Sequence, residues 1–263
     1  MKPLHLTLSA CLVLASVSGA AAAPATPVAP GRHHAAAPSA AEAVDPAALA
    51  ALQHMSAYLH TLTRFEVTGT NAVDLVLESG QKIENDRVTT YKVQMPDRFF
   101  IETASDQRVR QYVYDGKQIA VVSPVLGVYA TFPAPPTIAL ALDAAAERYG
   151  VVLPLEDLFH WSDPKTERSK DLKAGVHVGT ATLDGVKTDQ YAFREGAIDW
   201  QIWIAQGDRP LPLKVVIVAR GDPARPAFSS RLNWNTSPTW AADTFTFQPP
   251  KDAMAIKFAS SSK

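Results

Sequence analysis

Residues 88–123 read VTTYKVQMPDRFFIETASDQRVRQYVYDGKQIAVVS. Aromatic and β-branched side chains alternate with polar ones along this stretch, which is the period of strands that bury one face. Asp115 and Gly116 mark a tight hairpin turn because both residues tolerate a positive φ, and Met95, Pro96 and Asp97 mark a further connection. The stretch therefore predicts four consecutive strands of a meander, at 88–94, 99–103, 109–114 and 118–123.

The same alternation continues on both sides of this meander. Further strands are predicted at 64–70, 73–77, 128–132, 175–182, 188–194, 199–205, 213–220, 228–235 and 245–247. Few of the connections are long enough to hold a crossover helix, so the pattern predicts a sheet that is antiparallel throughout.

Helical segments flank and divide the predicted strands. Asp45 and Pro46 form a typical helix start, and apolar residues follow them at spacings of three or four. A second helix is predicted from Thr137 to Gly150, and a short third one at 154–159. The whole pattern indicates a mainly β (α+β) domain, in which about three helices cap a strongly curved sheet.

The N-terminal residues have the composition of an export signal. Lys2, an apolar run too short to span a bilayer and small residues before position 24 predict a cleavable signal peptide at 1–23 and a periplasmic location. Residues 24–44 are rich in Ala and Pro and are interpreted as a disordered linker, which leaves 45–263 as one domain. A second interpretation takes Cys11 as the acylated cysteine of a membrane-anchored lipoprotein.

Charge and composition exclude several classes of function. The chain has 25 basic and 26 acidic residues, so it offers no basic field for nucleic acid. No catalytic motif is present, because Ser162 and Lys165 of the one S-x-x-K match are separated by Pro164, which disfavours the helix that such a motif needs. The histidines lack the spacing of metal ligands. We therefore expect no enzyme activity, no cofactor, no metal, no transmembrane span and a monomer; a hydrolase assembled only in space remains an alternative.

Large apolar residues recur on one alternating face of several predicted strands. Such a face is either packed core or the lining of a ligand cavity, and periodicity does not distinguish the two. The residues of this alternating face are Trp200, Ile202, Ile204, Leu213, Val215, Ile217, Phe228, Leu232 and Trp234. The residues predicted to line a ligand cavity are this set without Phe228, together with Met95, Phe99 and Ile101 of the first meander.

Three stretches together resemble the LolA/LolB-like superfamily of bacterial periplasmic lipoprotein carriers. They are the strand, proline turn and strand at 93–100, the DGK hairpin at 114–118 with the proline at 124, and the FTF-PP segment at 245–251. A subgroup of predicted periplasmic proteins of unknown function within that superfamily is resembled more closely, through 133–138, 145–150 and 153–158. The two resemblances cover about 49–258.

The resemblance implies an unclosed antiparallel β-barrel whose open side is capped by helices, with an apolar cavity between sheet and helices that accepts acyl chains. It also implies that Phe99 lines the acyl site. The carrier has an arginine where this chain has Met95, so the resemblance does not extend to the carrier's route of lipoprotein transfer.

Two functional hypotheses follow. The first is a non-catalytic periplasmic protein that holds a lipid, an acyl chain or another hydrophobic ligand between the curved sheet and the helical lid. The second is a protein-interaction or sensing domain of the cell envelope, with a filled core and an envelope protein as its partner.

Overall fold

The computed structural model describes residues 43–151, 153 and 171–257. The chain divides into two units, 1–39 and 40–263, and all the described residues lie in the second. In order along the chain, their helices and strands are α1 (Pro46–Thr61), β1 (Arg64–Val76), β2 (Lys82–Gln94), β3 (Arg98–Ala104), β4 (Val109–Tyr114), β5 (Gln118–Ser123), β6 (Val128–Pro133), α2 (Ile138–Tyr149), β7 (Leu172–Leu183), β8 (Val186–Glu195), β9 (Ile198–Ala205), β10 (Pro212–Ala219), β11 (Ala227–Asn235) and β12 (Met254–Ala255).

Both described helices begin at the predicted residues, and α2 ends at the predicted Gly150. Asp45 caps α1 by accepting a 2.8 Å hydrogen bond from the backbone N–H of Ala47. Thr137 caps α2 in the same way, and Gly150 ends that helix in the left-handed conformation with a φ of 62°. The third predicted helix, at 154–159, lies outside the described residues.

The strands form one curved, unclosed sheet, which confirms the predicted fold class. Its order is β12-β6-β5-β4-β3-β2-β1-β11-β10-β9-β8-β7. The antiparallel pairing of β1 with β11 joins the meander β1–β6 to the meander β7–β11. The first predicted meander thus lies on one side of β1, and the second lies on the other.

Two predictions fail at the C-terminal end. The segment after β11 returns to the far edge of the sheet, where β12 pairs with β6 in parallel, so the sheet is not antiparallel throughout. Residues 245–247 are also not a strand. Their segment forms turns, in one of which the N–H of Thr246 donates a 2.8 Å hydrogen bond to the carbonyl of Asp243. The ring of Phe245 is buried edge-on against the ring of Trp240, with centroids 5.3 Å apart.

The strand β1 is a single element, although two strands were predicted there. Its residues pair with β2 without a break from Arg64 to Val76, and Asn71 and Ala72 pair with β11 as well. Backbone pairing on both sides overrides the interruption in the apolar alternation at these two residues. β1 and β2 extend beyond their outer neighbours as a projecting hairpin.

One face of the sheet packs against both helices and forms the hydrophobic core; we call it the inner face. From α1, Met55 and Leu59 enter this core, and from α2, Ile138 and Leu142 do so. Among the described residues, no helix is long and apolar enough to cross a membrane.

Candidate functional site

The inner face of the first meander is fully packed. Adjacent strands align Phe65, Val93, Phe99, Tyr114, Ile119 and Phe132 in one buried row, and the next row includes Val67, Tyr91 and Ile101. The rings of Phe99 and Tyr114 lie 5.2 Å apart. Two of the predicted ligand-binding residues, Phe99 and Ile101, are therefore core residues with 0% exposure.

Met95 lies in the turn that ties this row to both helices. It is partly buried against the core, and its N–H donates a 2.9 Å hydrogen bond to the carbonyl of Thr63, just after α1. The carbonyl of Pro96 accepts a 2.9 Å bond from the N–H of Ile138, the first residue of α2. The turn at Met95 and Pro96 thus joins the sheet to the segment after α1 and to the start of α2.

The second meander carries a row of large apolar residues on the same face. Pairing across β1, β11, β10, β9 and β8 aligns Val73, Phe228, Ile217, Trp200 and Phe193. Trp200 and Phe193 are buried and stacked, with ring centroids 4.4 Å apart, whereas Val73, Phe228 and Ile217 are only partly buried. We call these last three residues the open row.

The apolar inner face continues beyond the open row onto the projecting β1–β2 hairpin. Leu75 pairs with Ile83 there, and their side chains are 45% and 43% exposed. Leu77, two residues further along the chain, is 41% exposed. Because side chains alternate along a strand, Val73 and Leu75 lie on the same face of β1. The inner face therefore changes from sealed core to accessible apolar surface as β1 runs toward the hairpin.

Most of the other predicted residues belong to the core. Ile202, Ile204, Val215 and Leu232 are buried in it. Trp234 packs against Phe65 with ring centroids 5.6 Å apart, and its Nε1–H donates a 2.7 Å hydrogen bond to the carbonyl of Pro212.

Leu213 is separated from this group by a β-bulge. Pro212 pairs with Ile204 and Lys214 pairs with Trp203, so one extra residue is accommodated on β10. The alternation shifts at this point, and Leu213 lines a cleft on the opposite, outer face of the sheet. The spacing of two residues between Leu213 and Val215 predicts that both lie on the inner face. A β-bulge cannot be recognised from this spacing.

The outer cleft has a volume of about 1140 Å³. Glu66, Thr68 and Thr70 line it from β1, pointing away from the core because Phe65 and Val67 point into it. The rest of its lining comes from β11 and from the connections β7–β8 and β9–β10, and it consists of Leu183, Asp184, Val186, Ala205, Gln206, Asp208, Arg209, Leu211, Leu213, Arg231, Leu232, Asn233, Trp234, Asn235 and Thr236. A 3.0 Å ion pair between Arg231 and Asp184 joins β11 to the β7–β8 turn. The cleft is mixed in character, because hydrogen-bonding side chains stand on both walls beside several apolar ones.

Burial keeps Tyr91 and Tyr114 in the neutral form. Desolvation raises the pKa of Tyr91, and it raises the pKa of Tyr114 to about 12. The hydroxyl of Tyr114 donates to the carbonyl of Pro135. The buried polar side chains of the described residues are Asn71, Thr89, Thr188 and Ser230, none of which carries a charge. The fully buried side chains of the described residues therefore include no charged group.

Sequence reasoning overlooked a small polar patch on this face. Asn71 donates through Nδ2 to Thr89 Oγ1 at 3.0 Å, and Thr89 Oγ1 lies 3.2 Å from Thr103 Oγ1. Ser230 pairs directly with Asn71 across β1 and β11. The sequence signal for this patch was the polar Asn71 in the middle of a strand, where the alternation predicts a break between strands at 64–70 and 73–77.

Comparison with known protein families shows to which family the chain belongs. The model of the family described as "Predicted periplasmic protein (DUF2092)" matches residues 48–259. The chain belongs to this family. A search of curated proteins finds no match.

Several solved structures are similar to this one. They include an uncharacterized conserved protein from Thermus thermophilus (10% identity, TM-score 0.46, covering 80% of this chain and 99% of that one) and lipoprotein LppX from Mycobacterium tuberculosis (14%, 0.40, 74% and 98%). A LolA superfamily protein from Nitrosomonas europaea matches at 8% identity and a TM-score of 0.36, covering 76% of this chain and 97% of that one. The family model confirms the predicted resemblance to a family of predicted periplasmic proteins of unknown function. Identities this low do not transfer a ligand or an activity.

Proposed function

We propose that this protein is a non-catalytic periplasmic binding protein that holds a hydrophobic ligand, such as a lipid or an acyl chain, against the inner face of its sheet. The observation that carries the proposal is the open row, where Val73, Phe228 and Ile217 remain partly accessible beside a sealed core. The periplasmic location is that of the family description. We further propose that residues 1–23 are a signal peptide that directs export of the protein and is then cleaved. The alternative is that Cys11 is acylated and anchors the protein in a membrane.

The open row offers a surface that a chain-like ligand can cover. The row adjoins the stacked rings of Trp200 and Phe193 on one side and the exposed Leu75 and Ile83 on the other. Removing apolar surface from water contributes about 25 cal/mol per Å², so covering about 200 Å² of this face would contribute roughly 5 kcal/mol before the cost of ordering the ligand.

This placement revises which predicted residues contact the ligand. Of the eleven, Ile217 lies in the open row, and Trp200 borders it. Phe99, Ile101 and Ile202 are sealed within the core. We propose that they support the binding surface from within, and that Ile217 and its cross-strand neighbour Phe228 contact the ligand.

A matched pair of variants on one strand tests the proposal. Ile217→Asn places an amide in the open row, whereas Val216→Asn places the same amide on the outer face one residue earlier, where Val216 is also only partly buried. Native mass spectrometry of protein purified from the periplasm should show bound lipid in the wild type and in Val216→Asn, and none in Ile217→Asn. Lipid absent from the wild type, or retained equally by both variants, would refute binding at the open row.

The outer cleft favours a second candidate function, recognition of an envelope protein. Its lining combines Thr68, Asn233 and Gln206 with charged residues of both signs, which suits the backbone and side chains of a peptide segment. Asn233→Trp would fill the cleft without entering the core, because Asn233 is exposed. Loss of a cross-linked envelope partner in this variant, with the partner retained by Ile217→Asn, would select this function over lipid binding.

A further inference from the structure

One end of the sheet displays large apolar side chains to solvent. Because consecutive strands of the first meander are antiparallel, the β1–β2, β3–β4 and β5–β6 connections all lie at this end. The β2–β3 turn lies at the opposite end, where the carbonyl of Pro96 accepts a hydrogen bond from the first residue of α2. We call the former the hairpin end, after the projecting β1–β2 hairpin.

The β5–β6 connection is a short apolar tip at the hairpin end. Pro124–Leu126 form a single 3₁₀ turn, which Gly127 ends in the left-handed conformation with a φ of 61°. The side chains of Val125 and Leu126 are 65% and 72% exposed. Two adjacent large apolar side chains are thus held in water by a turn whose backbone is fixed.

The edge strand β12 adds two further apolar side chains beside this tip. The N–H of Met254 donates a 2.8 Å hydrogen bond to the carbonyl of Gly127, the residue that ends the 3₁₀ turn. Met254 is 64% exposed, and Ile256, two residues further along, is 47% exposed. We call this group the apolar corner, and it consists of Val125, Leu126, Met254 and Ile256.

The apolar corner is uncharged, with cations at its margin. Residues 118–142 contain no Asp, Glu, Lys, Arg or His, and neither do residues 253–256. The exposed residues that bracket the β12 part are Lys251, Asp252 and Lys257, two cations and one anion with a net charge of +1. Apolar side chains bordered by cations are the arrangement that suits a lipid surface, where the side chains enter the acyl boundary and lysines meet the head groups.

The size of the apolar corner argues against a protein partner. At these exposed fractions its four side chains offer roughly 500 Å², whereas each partner of a standard protein interface contributes about 800 Å². Attachment to a lipid surface has no such threshold, because its strength scales with the apolar area that is buried. A lipid surface is therefore the occupant that the corner fits.

The hairpin end is also where the inner face becomes accessible. Val73 of the open row is followed on the same face of β1 by Leu75, which is 45% exposed, and the hairpin continues to Leu77, which is 41% exposed. A bilayer in contact with the hairpin end would therefore meet both the apolar corner and the accessible end of the inner face.

We propose that the hairpin end docks on the surface of a lipid bilayer, with the side chains of the apolar corner inserted among the lipids. Docking in this orientation would let a hydrophobic ligand pass between the bilayer and the open row. The passage of the ligand rests on the proposed function, whereas the docking itself does not.

Vesicle flotation with a matched pair of leucine variants tests the docking. Protein purified from the periplasm is mixed with vesicles of phosphatidylethanolamine and phosphatidylglycerol. We expect the wild type to float with the vesicles, and Leu126→Gln to partition about tenfold less, the effect of one leucine side chain leaving an apolar environment. The control is Leu140→Gln, because Leu140 is 52% exposed on α2 at the opposite end of the sheet. It should float like the wild type.

Met254→Gln is an independent variant on the second element of the corner, and it too should reduce flotation. A wild type that does not float, or equal losses in Leu126→Gln and Leu140→Gln, would overturn the docking. Release of the protein by added salt would assign attachment to charge and overturn the apolar corner as its cause. A wild-type dimer that Leu126→Gln dissociates would make the corner an interface between two copies, which also overturns the docking.

The failure of the docking can be distinguished from the failure of the proposed function. Lipid found in the wild type by native mass spectrometry, without flotation, would overturn the docking and leave ligand binding intact. Flotation without any bound lipid would support the docking and refute the proposed function.

Discussion

Replacing Phe99 with alanine tests whether this residue is core or cavity lining. Its ring is 0% exposed and lies 5.2 Å from the ring of Tyr114. Truncating a buried phenylalanine lowers the free energy of unfolding by about 3–5 kcal/mol when the surroundings cannot close the space. Val93 and Tyr114 are held in place by their own strands on either side, so we expect a loss of about 4 kcal/mol.

Urea denaturation measures this loss directly. With a slope of about 2–3 kcal/mol per M for a domain of this size, the midpoint should fall by about 1.5 M. The control is Phe100→Ala, because the neighbouring ring is half-buried on the outer face, with Lys92 Nζ 5.6 Å from its centroid. Its loss should be about 1 kcal/mol. A fall of less than about 0.5 M for Phe99→Ala, accompanied by loss of bound lipid, would refute the reasoning and return Phe99 to the ligand cavity.

Two further predictions concern the second meander. Gly175→Ala would place a Cβ 2.9 Å from Cδ1 of Phe193, so we expect a loss of about 1–3 kcal/mol, and an unchanged melting temperature would contradict it. Hydrogen bonds from Arg194 hold the pKa of Asp199 below its usual value, so the stabilisation is present above the ordinary pKa of aspartate and is lost as the pH falls through the folded-state pKa. The difference in unfolding free energy between the wild type and Asp199→Asn should therefore shrink below about pH 4, and a difference independent of pH would show that the carboxylate charge does not matter.

Much of the architecture could be predicted from local patterns. The strands β4 and β5 begin and end at the predicted residues, and the caps at Asp45 and Thr137 start the two described helices. These features depend on side-chain alternation, capping and turn chemistry, all of which act between residues close in the sequence. Residues 245–247 contradict the pattern, because an apolar alternation also suits a segment whose aromatic rings pack onto the sheet while its backbone forms turns.

The sequence predicted the apolar sheet face but not which part of it stays accessible. The apolar face was identified, and Ile217 lies in its open row, but periodicity could not tell this residue from the sealed Ile202. Both residues have the same character and the same alternation. They differ only in whether other elements of the chain cover them. Leu213 was assigned to this face because a bulge changes the register without changing the composition.

The sequence by itself determined the alternating strands, the helix starts and the apolar character of one sheet face, because each depends on neighbours within a few residues. Only the tertiary structure decided that β1 pairs with β11, residues that lie 169 apart at Glu66 and Asn235. That pairing places Asn71 opposite Ser230 and brings both beside Gly69, and it aligns Val73 with Phe228. The open row exists because two meanders meet along one strand pair, and no local sequence pattern shows where distant strands meet.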